Sequence, residues 1–275
     1  MEQDSFGGEI LLVTEDMLQE RPSEHVQRDV STSNTALTLF TSGTTGVPKG
    51  VELSVQAYES NLDIFQSFLN LEPNEPLRVV LVNPLHHANS SSMSSWVLKR
   101  SGAELCLCSH YGTDYWNALA QIAEGFSGRI IAPLVARHFE YLENLLQDGR
   151  LELSPEHRDA LARTEFLVGS APVGPQTVER FKALTGRLPK VRFGSTELCL
   201  QALGIAPEMS EASVLRALER GWNHKHEKED LVGYYIGRPH EPLTHADVVE
   251  SVTAEETGFM KPVAPGTPGF LVVKS

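Results

Sequence analysis

Thr41-Ser42-Gly43-Thr44-Thr45-Gly46-Val47-Pro48-Lys49-Gly50 is the stretch that decides how this chain folds and what it can hold. Its glycines let the backbone turn tightly and aim N–H groups at an anion. The hydroxyls of Thr41, Ser42, Thr44 and Thr45 add donors for phosphate oxygens. Lys49 adds a mobile positive charge. An ordinary polar turn needs only a couple of such residues, not a whole run in this order. The run is not a Walker A loop, because Gly50 rather than Ser or Thr follows Lys49, and its glycine spacing is wrong for a dinucleotide fingerprint. The apolar run Ala36–Phe40 leads directly into it and reads as a strand.

Working outward, Val55–Leu71 spaces Ala57, Leu62, Phe65, Phe68 and Leu69 as an amphipathic helix does, and Pro73 and Pro76 close it. Arg78–Val82 is a continuous β-branched run, typical of a strand buried on both faces. Further strands are predicted at Ala103–Cys108, Arg129–Ala132, Glu165–Val168 and Lys190–Phe193. Helices are predicted at Trp116–Ala123, capped by Thr113 or Asp114, at Phe139–Leu146, and from Pro175 to Gly186. Strands alternating with helices imply an α/β fold: a mostly parallel sheet covered on both faces. Beyond Leu231, Gly, Pro and β-branched residues take over, as in Val248–Thr253 and Gly269–Lys274, and a small antiparallel, barrel-like piece is expected. The expected organisation is an approach segment at 1–35, an α/β core at 36–230 and a partial β subdomain at 231–275.

Three further segments carry chemistry. Pro84-Leu85-His86-His87 follows the buried strand Arg78–Val82. Gly169-Ser170-Ala171-Pro172-Val173 sits at a strand end before a helix, where open α/β sheets bind ligands. Phe193-Gly194-Ser195-Thr196-Glu197 ends another strand and offers an aromatic face, a hydroxyl and a carboxylate, the last a hard oxygen ligand of the kind Mg²⁺ prefers.

The Thr41–Gly50 loop resembles the signature loop of the adenylate-forming superfamily, which includes acyl- and aryl-CoA synthetases, luciferases and the adenylation domains of peptide synthetases. The three later segments resemble that superfamily's other motifs in the same order. The resemblance implies a two-step reaction. A carboxylate attacks the α-phosphate of ATP, giving an acyl-adenylate and pyrophosphate, and a thiol, coenzyme A or a carrier-protein thiol, then takes the acyl group. It implies that Thr41, Ser42, Gly43, Thr44, Thr45, Gly46 and Lys49 hold the phosphates and that Gly169, Ser170, Ala171 and Pro172 lie against adenine. Phe193 would stack near the base, with Gly194 and Ser195 in the same nucleotide-binding segment. Thr196 would contact the α-phosphate, Glu197 would bind Mg²⁺, and His87 would line the carboxylate pocket. Lys49, Thr196 and Glu197 are the implied catalytic residues. Departures are His86 for an aromatic residue, Ser170 for glycine, Phe193 for tyrosine, and Thr267 and Phe270 for acids in Pro265–Leu271. Ile236–Pro239 and Pro265–Leu271 are assigned structural roles only.

Bulk composition narrows the alternatives. The 275 residues carry 41% hydrophobic and 21% charged residues, a globular composition. A net charge of -13 repels nucleic acid phosphates, so no nucleic acid partner is expected. It repels ATP at long range as well, so an ATP site must be built locally. Three cysteines make no disulfide framework, and with no signal peptide or membrane span in view a cytoplasmic location is expected. Cys106, Cys108 and His110 share one strand face at period two, but no fourth ligand at zinc-like spacing accompanies them, so the cysteines read as buried strand residues. His224 and His226 read as solvated.

By the resemblance, the chain is expected to be an incomplete large N-terminal domain that stops before the ribose-binding aspartate and the C-terminal domain with its catalytic lysine. Loss of one such transition-state contact commonly costs about 10²–10³-fold in rate, so weak ATP binding and little turnover are expected of the chain alone. The competing readings are a short non-catalytic protein that binds nucleotide or a partner through the same fold, and a nucleotidyl transferase of another fold.

Overall fold

In the computed structural model, which describes residues 30–41, 47–223, 225–226 and 229–274, strand β1 (Thr35–Thr41) runs into the loop quoted above and β2 (Lys49–Ser54) leaves it. The two pair antiparallel, Thr41 opposite Lys49 and Phe40 opposite Gly50, so the loop is a hairpin connection on a ladder of its own. Ser42–Gly46 lie outside the described residues, as do residues 1–29 of the expected approach segment, His224 and the side chain of His226.

Helix α1 (Val55–Leu69) starts directly after β2, its first turn capped by the Ser54 hydroxyl, which accepts from the Ala57 N–H at 3.1 Å. It ends two residues short of the predicted Leu71, because Asn70 turns left-handed (φ 48°) and returns its N–H to the last turn. Leu62, Phe65, Phe68 and Leu69 are buried along one stripe, each contributing about 1.5–3 kcal/mol by leaving water.

The main sheet has seven strands in the order β11-β8-β7-β6-β5-β3-β4. Strands β4 (Ala103–Leu107), β3 (Leu77–Leu81), β5 (Arg129–Leu134), β6 (Thr164–Val168) and β7 (Lys190–Phe193) run parallel. The short strands β8 (Leu203–Gly204) and β11 (Arg238–Pro239) add antiparallel at one edge. Period-two alternation sorts the core into two layers. Leu77, Val79, Leu81, Ile131 and Leu167 face α1 and α2 (Ala88–Lys99), meeting Phe65, Phe68, Met93 and Trp96. Val80, Ile130, Ala132, Phe166, Val168 and Val191 face the other way. There they meet α3 (Thr113–Ala123), α4 (Ala136–Gln147), α5 (Pro155–Arg163), α6 (Pro175–Thr185) and α7 (Glu211–Trp222). The expected sheet covered on both faces is therefore present. Two hairpins complete the description: β9 (Lys225–His226) with β10 (Glu229–Val232), and β12 (His245–Val249) with β13 (Phe270–Lys274). The latter is the expected antiparallel piece.

Three helices were not predicted. Helix α2 is Ser-rich and buries Ser90 and Ser92 as well as Met93 and Trp96, which hides its apolar periodicity. Helices α5 and α7 bury only two residues each. The proposed Thr113 or Asp114 cap is also corrected: Thr113 is already helical, and Gly112 stands at the cap without a side chain to bond. Cys106 and Cys108 are half-buried against the core beside α3 and α4, and among the described residues no group of three or more His, Cys, Asp or Glu could hold a metal. No described helix is long and apolar enough to cross a membrane.

Beneath α3, His138 stacks on Tyr111 (centroids 4.1 Å apart, planes 17° apart), and its Nδ1 accepts from the Val135 N–H at 3.4 Å. Burial lowers its pKa from 6.5 to about 4, so the fold holds this ring neutral. As pH falls below 6.5 the unfolded chain takes up the proton first, so the stability this ring contributes is present above 6.5 and is lost toward pH 4. Solvent reaches part of the ring, which limits the loss to about 1–2 kcal/mol. Urea unfolding at pH 7 and pH 4.5 should show His138→Gln losing that much less stability than the unaltered chain.

Candidate functional site

Each motif lies where an element ends. Lys49, exposed, opens β2, which packs against a short turn at Thr196–Leu198 that follows β7. Within the phosphate loop the Thr41 hydroxyl reaches the Lys49 carbonyl at 3.5 Å, closing the described base of the hairpin.

Glu197 sits exposed on this turn. Its carboxyl is held below its ordinary pKa, first by its own backbone N–H, then by the Ser195 hydroxyl and by the charge of Lys49. Lys49, about 150 residues away in sequence, thus lies near enough for its charge to act on Glu197, in keeping with the packing of β2 on this turn. With no larger ligand cluster among the described residues, one ionised carboxylate fits an ion that draws its other oxygens from phosphate and water, the usual habit of Mg²⁺.

Ser170, Ala171, Pro172 and Val173 come together with Phe193 and Gly194 as walls of one cavity of about 320 Å³, at the lower end of the usual range for ligand pockets. Gly169 is not in that lining; it packs close to Arg192, where an added Cβ would stand 3.0 Å from the carbonyl oxygen. Ser170 takes a left-handed φ of 66°, a conformation that costs a non-glycine residue about 1–2 kcal/mol. Tyr234, Tyr235 and Ile236 form the opposite wall. The two tyrosines escaped the sequence reading because they lie in a loop outside every motif. Their one signal was paired aromatic residues just before Ile236–Pro239.

His87 does not line that cavity. It is exposed at the cap of α2, its N–H bonded to the Pro84 carbonyl at 3.0 Å. What ties its helix to the nucleotide motifs is buried and was not read from the sequence. Asn89, in the first turn of α2, accepts from the Arg192 guanidinium at 2.7 Å. Burial lowers Arg192 to about 10, which leaves it charged at neutral pH, and no carboxylate contributes to its shift. The Ser92 hydroxyl donates to the Cys199 carbonyl at 3.2 Å.

A family model described as AMP-binding enzyme matches residues 3–275. The medium-chain acyl-CoA ligase ACSF2, mitochondrial, of Bos taurus is 38% identical over 87 residues, covering 31% of this chain and 14% of that protein. The nonribosomal peptide synthetase flvI of Aspergillus flavus is 32% identical over 132 residues, covering 47% of this chain and 12% of that protein. The crystal structure of ATP-bound MatB from Rhodopseudomonas palustris shares the fold with a TM-score of 0.65 at 21% identity, covering 94% of this chain and 43% of that one. The chain thus spans less than half the length of these relatives.

Proposed function

The chain belongs to the AMP-binding enzyme family, and on that premise we propose that it activates a carboxylic acid with ATP, forming an acyl-adenylate that passes its acyl group to coenzyme A. The observation that carries this reading is a cavity walled by residues of two motifs, with strand β2, which Lys49 opens, packed against the turn that carries Glu197. Adenine fits between the Gly169–Pro172 turn and the Phe193 ring, whose face suits stacking. The triphosphate then runs toward Thr196, the Thr41–Gly50 loop and Lys49. Glu197 would hold Mg²⁺, which when bound would supply charge neutralisation at the phosphates.

In the first step an oxygen of the acid attacks the α-phosphorus, and the bond to the bridging oxygen breaks, releasing pyrophosphate. In the second the thiol sulfur attacks the acyl carbon and AMP leaves. Lys49 and the loop N–H groups stabilise negative charge developing on phosphate oxygens. His87 stands on the acid side, at the head of α2. Similarity to an acyl-CoA ligase supports coenzyme A as the acceptor; similarity to a peptide synthetase supports a carrier-protein thiol in its place.

Pyrophosphate exchange into ATP across a panel of carboxylic acids, paired with calorimetric titration of ATP with and without Mg²⁺, tests the reading. Exchange is expected only with a suitable acid, and Glu197→Gln is expected to lower it by about 100-fold. Exchange that ignores the acid, or Mg²⁺·ATP binding unchanged in Glu197→Gln, would overturn it.

A further inference from the structure

The segment following Glu197 adopts an unusual backbone. Cys199 (φ 55°) takes the left-handed conformation that few residues with side chains adopt, and Leu200 (φ 117°) lies beyond it, which for leucine is a genuine outlier. The Ser195 carbonyl accepts from both the Leu198 and Leu200 N–H groups, at 3.2 and 3.0 Å, which curls the segment back over Gly194. A strained conformation of this kind persists only where its surroundings over-determine it.

What determines it here is Asn61, a polar residue on the buried stripe of α1, 1% exposed. Its Nδ2 donates to the Leu198 carbonyl at 3.1 Å and to the Gln201 carbonyl at 3.4 Å. Its Oδ1 accepts from the Gln201 N–H at 3.3 Å. One side chain thus brackets the strained pair from both ends, while Ser92 of α2 bonds the Cys199 carbonyl between them. Helix α1 follows β2 without a break, so the strand that Lys49 opens leads directly into the helix that carries the clamp.

We infer that Asn61 is a positioning residue for Glu197: acting through the Leu198–Gln201 backbone, it fixes the metal-binding carboxylate relative to the phosphate loop. The inference rests on the reading of Glu197 given above. Asn61 is buried beneath the turn and is no candidate ligand itself. A buried amide with all its bonds made is also a specific requirement, since no apolar residue of similar size satisfies the two carbonyls and the N–H it reaches.

Calorimetric titration of the full chain with ATP, with and without Mg²⁺, tests it on Glu197→Gln, Asn61→Ala and the double variant, with thermal melts as a check of folding. Asn61→Ala is expected to weaken Mg²⁺·ATP binding about tenfold while metal-free ATP binding stays within about twofold. The double variant is expected to bind no more weakly than Glu197→Gln alone, because both changes act on one group. If Asn61→Ala does not fold, Ser92→Ala decides the matter, with an expected loss of about threefold confined to the Mg²⁺-bound form. Additive losses in the double variant would overturn the inference. So would equal weakening with and without metal, or no weakening in a folded Asn61→Ala (or, in its place, in Ser92→Ala). Glu197→Gln without effect would instead sink the reading of the site itself.

Discussion

Gly194→Ala is expected to abolish Mg²⁺·ATP binding, by about 100-fold or more, while most of the sheet stays folded. A Cβ at this position would stand 1.5 Å from the Leu200 carbonyl oxygen and 2.5 Å from its carbon, with the Gln201 Cα at 2.8 Å. All three are backbone atoms, so no rotamer change relieves the clash. The turn from Ser195 to Leu200 must move outward, carrying Thr196 and Glu197 with it, and a displacement of about 1 Å commonly costs about 10²-fold in such sites. The same movement breaks the Ala202 N–H bond to the Phe193 carbonyl (3.0 Å) and the bonds made by Asn61, so a stability loss of about 2–4 kcal/mol accompanies it. Titration calorimetry and urea unfolding on the same sample read both. Binding within a factor of three of the unaltered chain would show that the turn does not carry the site.

Asn89→Leu is expected to destabilise the chain by about 3 kcal/mol, more than Arg192→Met does. The two residues share one bond, yet the consequences differ. Arg192 is 6% exposed, and among the described residues its guanidinium reaches, besides Asn89, the Met93 sulfur at 4.0 Å and the Phe65 ring at 5.9 Å, with no carboxylate paired to it. Removing the amide leaves a full charge buried against a thioether and an aromatic face. Removing the guanidinium leaves a neutral amide, which is far cheaper to strand, and methionine fills most of the volume. The double variant should recover much of the stability lost by Asn89→Leu. Urea unfolding of the three variants measures this, and a larger loss for Arg192→Met would contradict it.

Much of this architecture is legible from local pattern. Strand Lys190–Phe193 was read to the residue, and the helix from Pro175 to Gly186 carries proline and a left-handed glycine (φ 73°) at the ends where such residues belong. These signals are local: a β-branched run, a fixed φ, a missing Cβ. Helix α2 is not legible, because its buried face mixes Met93, Trp96 and Val97 with serines that satisfy their hydroxyls on the backbone, such as Ser90 on the Asn83 carbonyl at 2.9 Å. The clamp residue Asn61 left one trace, an asparagine four positions before Phe65 on an apolar stripe, a placement that demands a buried partner without naming it.

Taken by itself, the order of residues determined the fold class, the family resemblance and the identity of the motifs, because glycine, hydroxyl and charged residues at fixed offsets state what a backbone can do next to an anion. Only the tertiary structure decided which of them meet. It packed β2, which Lys49 opens, against the turn of Glu197, lined the cavity with Tyr234 and Tyr235, left His87 outside that lining, and revealed Asn61 and Ser92 bonded to the turn after Glu197. The physical reason is range. Turn chemistry and periodicity act over a few residues, whereas a buried hydrogen bond across 140 positions, such as Asn61 to Gln201, exists only once the helices are packed on the sheet.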